Sequence, residues 1–87
     1  MRFKIEIHKN TLKFLSNLDK NNRKRIMRKV KDLANNPFPK DGIRIKGWKE
    51  RLYRTRVGGF RILYFVDEKN FTIFILKIDK RSRIYKR

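Results

Sequence analysis

No cysteine occurs in the chain, which excludes disulfides and thiolate metal sites. Histidine occurs once, at His8, at the polar end of an alternating segment and with no second ligand to share a metal. Acids are scarce: 8 Asp and Glu against 26 Lys and Arg leave a formal charge of +18. Surfaces that are merely rich in charge mix both signs in ion-pair networks, and here the acids are too few to pair the bases. The imbalance points to a polyanionic partner, most often nucleic acid. No apolar run approaches the ~20 residues that span a bilayer. The opening residues alternate like a strand and lack a signal peptide's apolar block, so the reading is a soluble cytoplasmic protein with no membrane role. P-loop and dinucleotide glycine patterns are absent, as are paired carboxylates and a serine or cysteine nucleophile with a histidine partner. No cofactor is expected.

Of the four glycines, two are adjacent, Gly58-Gly59, and they organise the rest. Residues 52–66 read Leu-Tyr-Arg-Thr-Arg-Val-Gly-Gly-Phe-Arg-Ile-Leu-Tyr-Phe-Val, a β-hairpin on a two-residue turn of type I′ or II′. That loop length sets the register. Val57 faces Phe60, Arg56 faces Arg61, Thr55 faces Ile62, Arg54 faces Leu63 and Tyr53 faces Tyr64. Alternation then places Tyr53, Thr55, Val57, Phe60, Ile62 and Tyr64 on a core face and Arg54, Arg56 and Arg61 on the other. Like charges directly opposite on a sheet are destabilising. Three clustered guanidinium groups make a place for an anion, phosphate above all; the plainer alternative is a basic edge that only resists aggregation.

With 87 residues the chain is read as a single domain, 1–87. Residues 2–8 alternate as a half-buried strand. Asn10 or Thr11 caps a first helix with Leu12, Leu15 and Leu18 in a stripe and Phe14 beside it. Asp19-Lys-Asn-Asn22 starts a second helix to about Asn35, apolar at Ile26, Met27, Val30, Leu33 and Ala34 and basic on its other face, where Arg25 and Arg28 are candidate RNA contacts. Pro37 and Pro39 end it. A short strand is expected around Ile43–Lys46, then a turn at Gly47-Trp48, with Trp48 either capping the core or stacking on a base. Asp67–Asn70 is a turn, and 71–78 is apolar at nearly every position, as in a strand covered on both faces. The basic end holds Lys80, Arg81, Arg83, Lys86 and Arg87, read as RNA-binding or as substrate contacts, with Ile84 and Tyr85 among them. The fold class is α+β: β-α-α-β-β-β(-β), a mostly antiparallel twisted sheet with a two-helix hairpin packed on it.

Metal-free RNA cleavage suits this composition, because RNA carries its own nucleophile, the 2′-hydroxyl. It needs a base, cations for the developing phosphorane charge and an acid for the leaving 5′-oxygen. The cations are plentiful. Arginine stays protonated, so proton transfer falls to another group, and Tyr85 beside Arg81 and Arg83 is the best candidate.

The 52–66 hairpin, the preceding Arg-Ile-Lys-Gly-Trp (44–48), the ending Lys-Arg-Ser-Arg-Ile-Tyr-Lys-Arg (80–87) and the βαα opening together resemble the RelE-type toxins of the RelE/ParE toxin–antitoxin superfamily. The resemblance spans essentially the whole chain. Its most specific part is the joint presence of Arg56–Tyr64 and Arg81…Tyr85. It implies a RelE-like, microbial-ribonuclease-like fold and a ribosome-dependent mRNA endoribonuclease cutting in the A site. It also implies a tight complex with an acidic antitoxin of the RelB type, and contact with rRNA and A-site mRNA. By residue, Arg54 and Arg56 match the family's two basic strand positions and Arg61 its phosphate-stabilising arginine. Arg81 matches the arginine after the last strand, and Tyr85 the tyrosine that stacks on substrate. Two alternatives stand beside it: a ParE-like toxin that inhibits gyrase by binding, and a basic RNA- or ribosome-binding module without catalysis. Leu52, Leu63 and Phe65 fall on the arginine side of the sheet and need an apolar cover, from the C-terminal segment or from a partner helix.

Overall fold

Alternation and helical spacing turn directly into elements. The computed structural model describes residues 2–47 and 51–80. In chain order these are β1 (Lys4–Ile7), α1 (Lys9–Ser16), α2 (Lys20–Asn35), β2 (Ile43–Arg44), β3 (Leu52–Val57), β4 (Phe60–Asp67) and β5 (Thr72–Lys80). They form one five-stranded sheet in the order β1-β5-β4-β3-β2. All pairings are antiparallel except β1 with β5, which is parallel. The helices cover one face. Leu15, Ile26, Val30 and Leu33 pack there against Phe60, Ile62, Tyr64 and Val66 of β4 and Ile73, Ile75 and Ile78 of β5. Among the described residues no helix is long and apolar enough to cross a membrane.

The hairpin register is the expected one at all five pairs, with Leu52 opposite Phe65 added. Gly58 takes φ +59 and Gly59 no positive φ, the pattern of a type II′ turn, so one glycine of the pair does the left-handed work. On β5 the pairing with β4 shifts between Leu63 and Tyr64. That bulge lets Ile75 and Ile78 both reach the core.

The first helix departs from expectation. His8, not Asn10 or Thr11, is its N-cap: His8 Nδ1 accepts from the Asn10 backbone N–H at 3.1 Å. The inward face carries buried Thr11 and Leu15 with partly buried Phe14 and Leu18, while Leu12 is left 51 % exposed. Thr11 tolerates burial because its hydroxyl donates to the Leu76 carbonyl at 2.9 Å, satisfying the polar group. Arg23 on α2 donates to the carbonyls of Leu15 (3.0 Å) and Leu18 (2.8 Å), supplying donors to the last turn of α1 and the link that follows it. Asp19 caps α2 as expected, its Oδ2 accepting from Asn22 N–H at 3.0 Å.

β2 is two residues long, shorter than expected, although Ile45 N–H still donates to the Leu52 carbonyl at 2.8 Å. Between α2 and β2 the chain is tied to the core by Tyr64, whose hydroxyl donates to the Pro37 carbonyl at 2.8 Å. Lys29 pairs with Asp41 at 3.1 Å. On the other face of the sheet Leu52 is buried, and Phe65 stacks on Phe74 with centroids 5.8 Å apart. Intrachain packing therefore supplies part of the apolar cover that this face needs.

Acid should undo several of these ties together. The backbone N–H of Asn22 holds the Asp19 carboxyl below its ordinary 3.8. The Asn70 side chain does the same for Asp67. At Asp41 burial pushes upward, but the hydrogen bond and charge of Lys29 outweigh it. A carboxyl made more acidic by folding contributes fully above its unfolded value and loses that contribution as pH falls through the lower folded one. Thermal midpoints are expected to hold down to about pH 5 and to fall below about pH 4. A midpoint unchanged to pH 2.5 would show that these ties contribute nothing.

Candidate functional site

The hairpin alternation that buries Thr55 and Ile62 sends Arg54, Arg56 and Arg61 to the opposite face. The three arginines line one cleft of about 380 Å³ with Lys40, Asp41, Ile43 and Thr55. Four elements build it, β2 contributing Ile43. β3 supplies Arg54 and Arg56, β4 supplies Arg61, and the loop after α2 supplies Lys40 and Asp41 as a wall, held in place by the Tyr64–Pro37 and Lys29–Asp41 contacts. The three arginines differ in setting. Arg56 is exposed and Arg54 half-buried, while Arg61 is only 5 % exposed.

Arg61 sits on an inner strand. Its register partners are Arg56 on β3 and Asp79 on β5, so the row across the sheet reads Arg56, Arg61, Asp79. The carboxylate offsets part of the like-charge cost of the arginine pair. Arg54 Nε is buried and makes no hydrogen bond. A buried cationic donor without an acceptor is costly, and an anion in the cleft would relieve it. Arginine forks suit the paired oxygens of a phosphate. Asp41 is the one carboxylate among the described residues lining the cleft, and Lys29 keeps it ionised at neutral pH. The Tyr64 phenol is pushed well above its ordinary value by burial, with Asp41 and Tyr53 adding to the effect, so it is no proton acceptor near neutrality. No group of three or more His, Asp or Glu able to hold a metal ion occurs among the described residues.

The structure thus brings together Arg54, Arg56 and Arg61 from the sequence reading and adds Lys40 and Asp41, which nothing in the local sequence signals. It separates others. Arg25 and Arg28 are exposed on α2, away from the cleft lining. Lys80, at the end of β5, lines a different depression with Asp19, Asn22 and Phe60. Arg81, Arg83, Tyr85, Lys86 and Arg87 lie outside the described residues, as does Trp48.

Comparison with known proteins gives the chain its relatives. Residues 5–85 match the family model described as the ParE toxin of the type II toxin–antitoxin system parDE. A Methanocaldococcus jannaschii protein named "Putative toxin RelE1" is 40% identical over 99% of this chain and 98% of its own length. The archaeal RelE–RelB complex of Pyrococcus horikoshii OT3 contains a chain that superposes with a TM-score of 0.84 at 34% identity, covering 95% of this chain and 99% of that one. The RelB–RelE antitoxin–toxin complex of Methanococcus jannaschii gives 0.71 at 28% identity, covering 93% and 95%. By the family match and these likenesses, the chain belongs to the toxins of type II toxin–antitoxin systems, in the superfamily that the ParE and RelE toxins share.

Proposed function

We propose that this toxin is a ribosome-dependent endoribonuclease that cuts mRNA in the A site by metal-free attack of the 2′-hydroxyl. The observation that supports it most is the convergence of Arg54, Arg56 and Arg61, with Lys40, on one cleft. The ribosome orients the mRNA so that the 2′-hydroxyl stands in line with the scissile bond. The 2′-oxygen bonds to phosphorus as it gives up its proton and the P–O5′ bond breaks, leaving a 2′,3′-cyclic phosphate and, once O5′ is protonated, a 5′-hydroxyl. Arg61 and Arg81 neutralise the phosphorane charge, Arg54 and Arg56 hold flanking phosphates or assist proton transfer, and Tyr85 stacks on a base. Lys80, Arg83, Lys86 and Arg87, with Arg28, add affinity without sequence choice.

In cells the toxin is held by an acidic antitoxin of the RelB type. Structures similar to this chain include toxins solved with RelB, and +18 calls for a complement of the opposite sign. The half-buried Leu63, Phe65 and Phe74 offer it an apolar contact beside the arginines. The test is mRNA cleavage in a translating extract, with and without ribosomes, followed by mapping of 5′ ends. Cuts that need ribosomes and keep codon phase are the expected result. RNA bound but uncut would refute it. The family match to ParE favours one second reading, inhibition of gyrase by binding, and a supercoiling assay decides between the two.

A further inference from the structure

The tip of the arginine hairpin is held from outside the sheet. β2 reaches only as far as Arg54, so the last residues of β3, 55–57, have no strand neighbour on that side among the described residues. Helix α2 makes up for this through Arg25. A Cβ built on Gly58 would meet Arg25 Nη2 at 2.6 Å, Cζ at 3.1 Å and Nη1 at 3.2 Å. The guanidinium therefore occupies the space into which a side chain at 58 would project. The corresponding position on Gly59 meets nothing within 4 Å, so the contact is one-sided. Arg25 is itself tethered: Nη1 donates to Asn22 Oδ1 at 3.3 Å, and Asn22 is bound to the Asp19 cap through both its backbone and its side chain. A continuous path runs from the N-cap of α2 to the turn between Arg56 and Arg61.

We infer that Arg25 is a positioning residue: its guanidinium clamps the Gly58 turn to the first turns of α2 and so sets where Arg56 and Arg61 stand in the cleft. Glycine at 58 then answers two demands, a left-handed φ and room for the guanidinium. The consequence for cleavage rests on the proposed nuclease activity; the clamp itself does not.

Two measurements test it. The first is thermal unfolding of Gly58→Ala, Arg25→Ala and the double variant. Gly58→Ala alone suffers backbone strain and must also displace the guanidinium, and it lowers the midpoint by about 10 °C. With Arg25 already removed only the strain remains, and the drop is expected to shrink by about 2–3 °C. Additive effects would overturn the clamp. This result stands whether or not the protein cuts RNA. The second uses Arg25→Lys, which keeps the charge and loses the planar fork, and serves also if Gly58→Ala does not fold. Cleavage is expected to slow about tenfold through misplaced arginines, with RNA affinity and its salt dependence unchanged. If Arg25→Lys cuts like the parent, and Arg25→Ala instead flattens the salt dependence by about one counter-ion, Arg25 is an RNA contact and the inference fails.

Discussion

Replacing Arg61 by alanine is expected to slow the proposed ribosome-dependent mRNA cleavage by about 10²–10³-fold, the scale for losing one preorganised donor to a developing oxyanion. The size of the effect follows from the setting of the residue. Arg61 lies on an inner strand at 5 % exposure, with Arg56 and Asp79 in register on either side. A guanidinium held this way loses little freedom when the phosphorane forms, and it acts where water is scarce. Arg56 is exposed, and its loss is expected to cost about tenfold, nearer the value of a screened phosphate contact. Arg61→Lys keeps the charge without the fork and is expected to fall between the parent and alanine. Initial rates of mRNA cutting, with a circular-dichroism check that each variant is folded, give the comparison. An Arg61→Ala variant that cuts at the parent rate would remove the residue from the mechanism.

The largest effect on stability is expected at Tyr64. Its side chain is fully buried, stacks on Tyr53 with centroids 5.8 Å apart and donates to Pro37. Tyr64→Ala should cost about 3–5 kcal/mol through the cavity it leaves, enough to lower the midpoint by roughly 15–30 °C in a domain of this size. Tyr64→Phe keeps the ring and removes only the hydroxyl, for about 1 kcal/mol. Urea denaturation of the pair separates packing from the hydrogen bond. The phenylalanine variant also has a local signature. With Pro37 released, the wall of the arginine cleft at Lys40 and Asp41 loosens, and amide exchange should rise across residues 36–43 while the inner strands stay protected. Equal protection in that segment would show that Lys29–Asp41 alone secures it.

The arginine face was readable from sequence because one short turn determines it. A two-residue Gly-Gly loop admits one register, and register fixes which side chains share a face. The same logic located the core positions of β3 and β4. Helix α2 was readable because sixteen residues give a full periodic stripe and Asp19 marks its start. Helix α1 was not, since eight residues make only two turns, too few for periodicity to decide between Thr11 and Leu12 as the inward position. A histidine cap carries a weak signal, because serine, threonine, asparagine and aspartate lead at that position. The wall formed by Lys40 and Asp41 was hidden for another reason. Prolines at 37 and 39 announce where a helix ends but not where the following chain lies, and that path is set by Tyr64 from β4, 27 positions along the chain. Arg25 over Gly58 is equally non-local. On a helix face crowded with basic residues, nothing distinguished it from its neighbours.

The parallel pairing of β1 with β5 has a consequence during synthesis. Lys4 aligns with Thr72, 68 positions later, and every strand between them joins an antiparallel neighbour. At roughly 5–20 residues per second, β1 waits on the order of 3–14 s for the strand beside which it belongs. Through that interval the nascent chain carries an apolar ribbon, Phe3, Ile5 and Ile7, with an unfilled edge. Closing so long a loop is entropically slow, and β4 loses a neighbour until β5 emerges. The arginine row therefore comes into being last, when Asp79 arrives opposite Arg61.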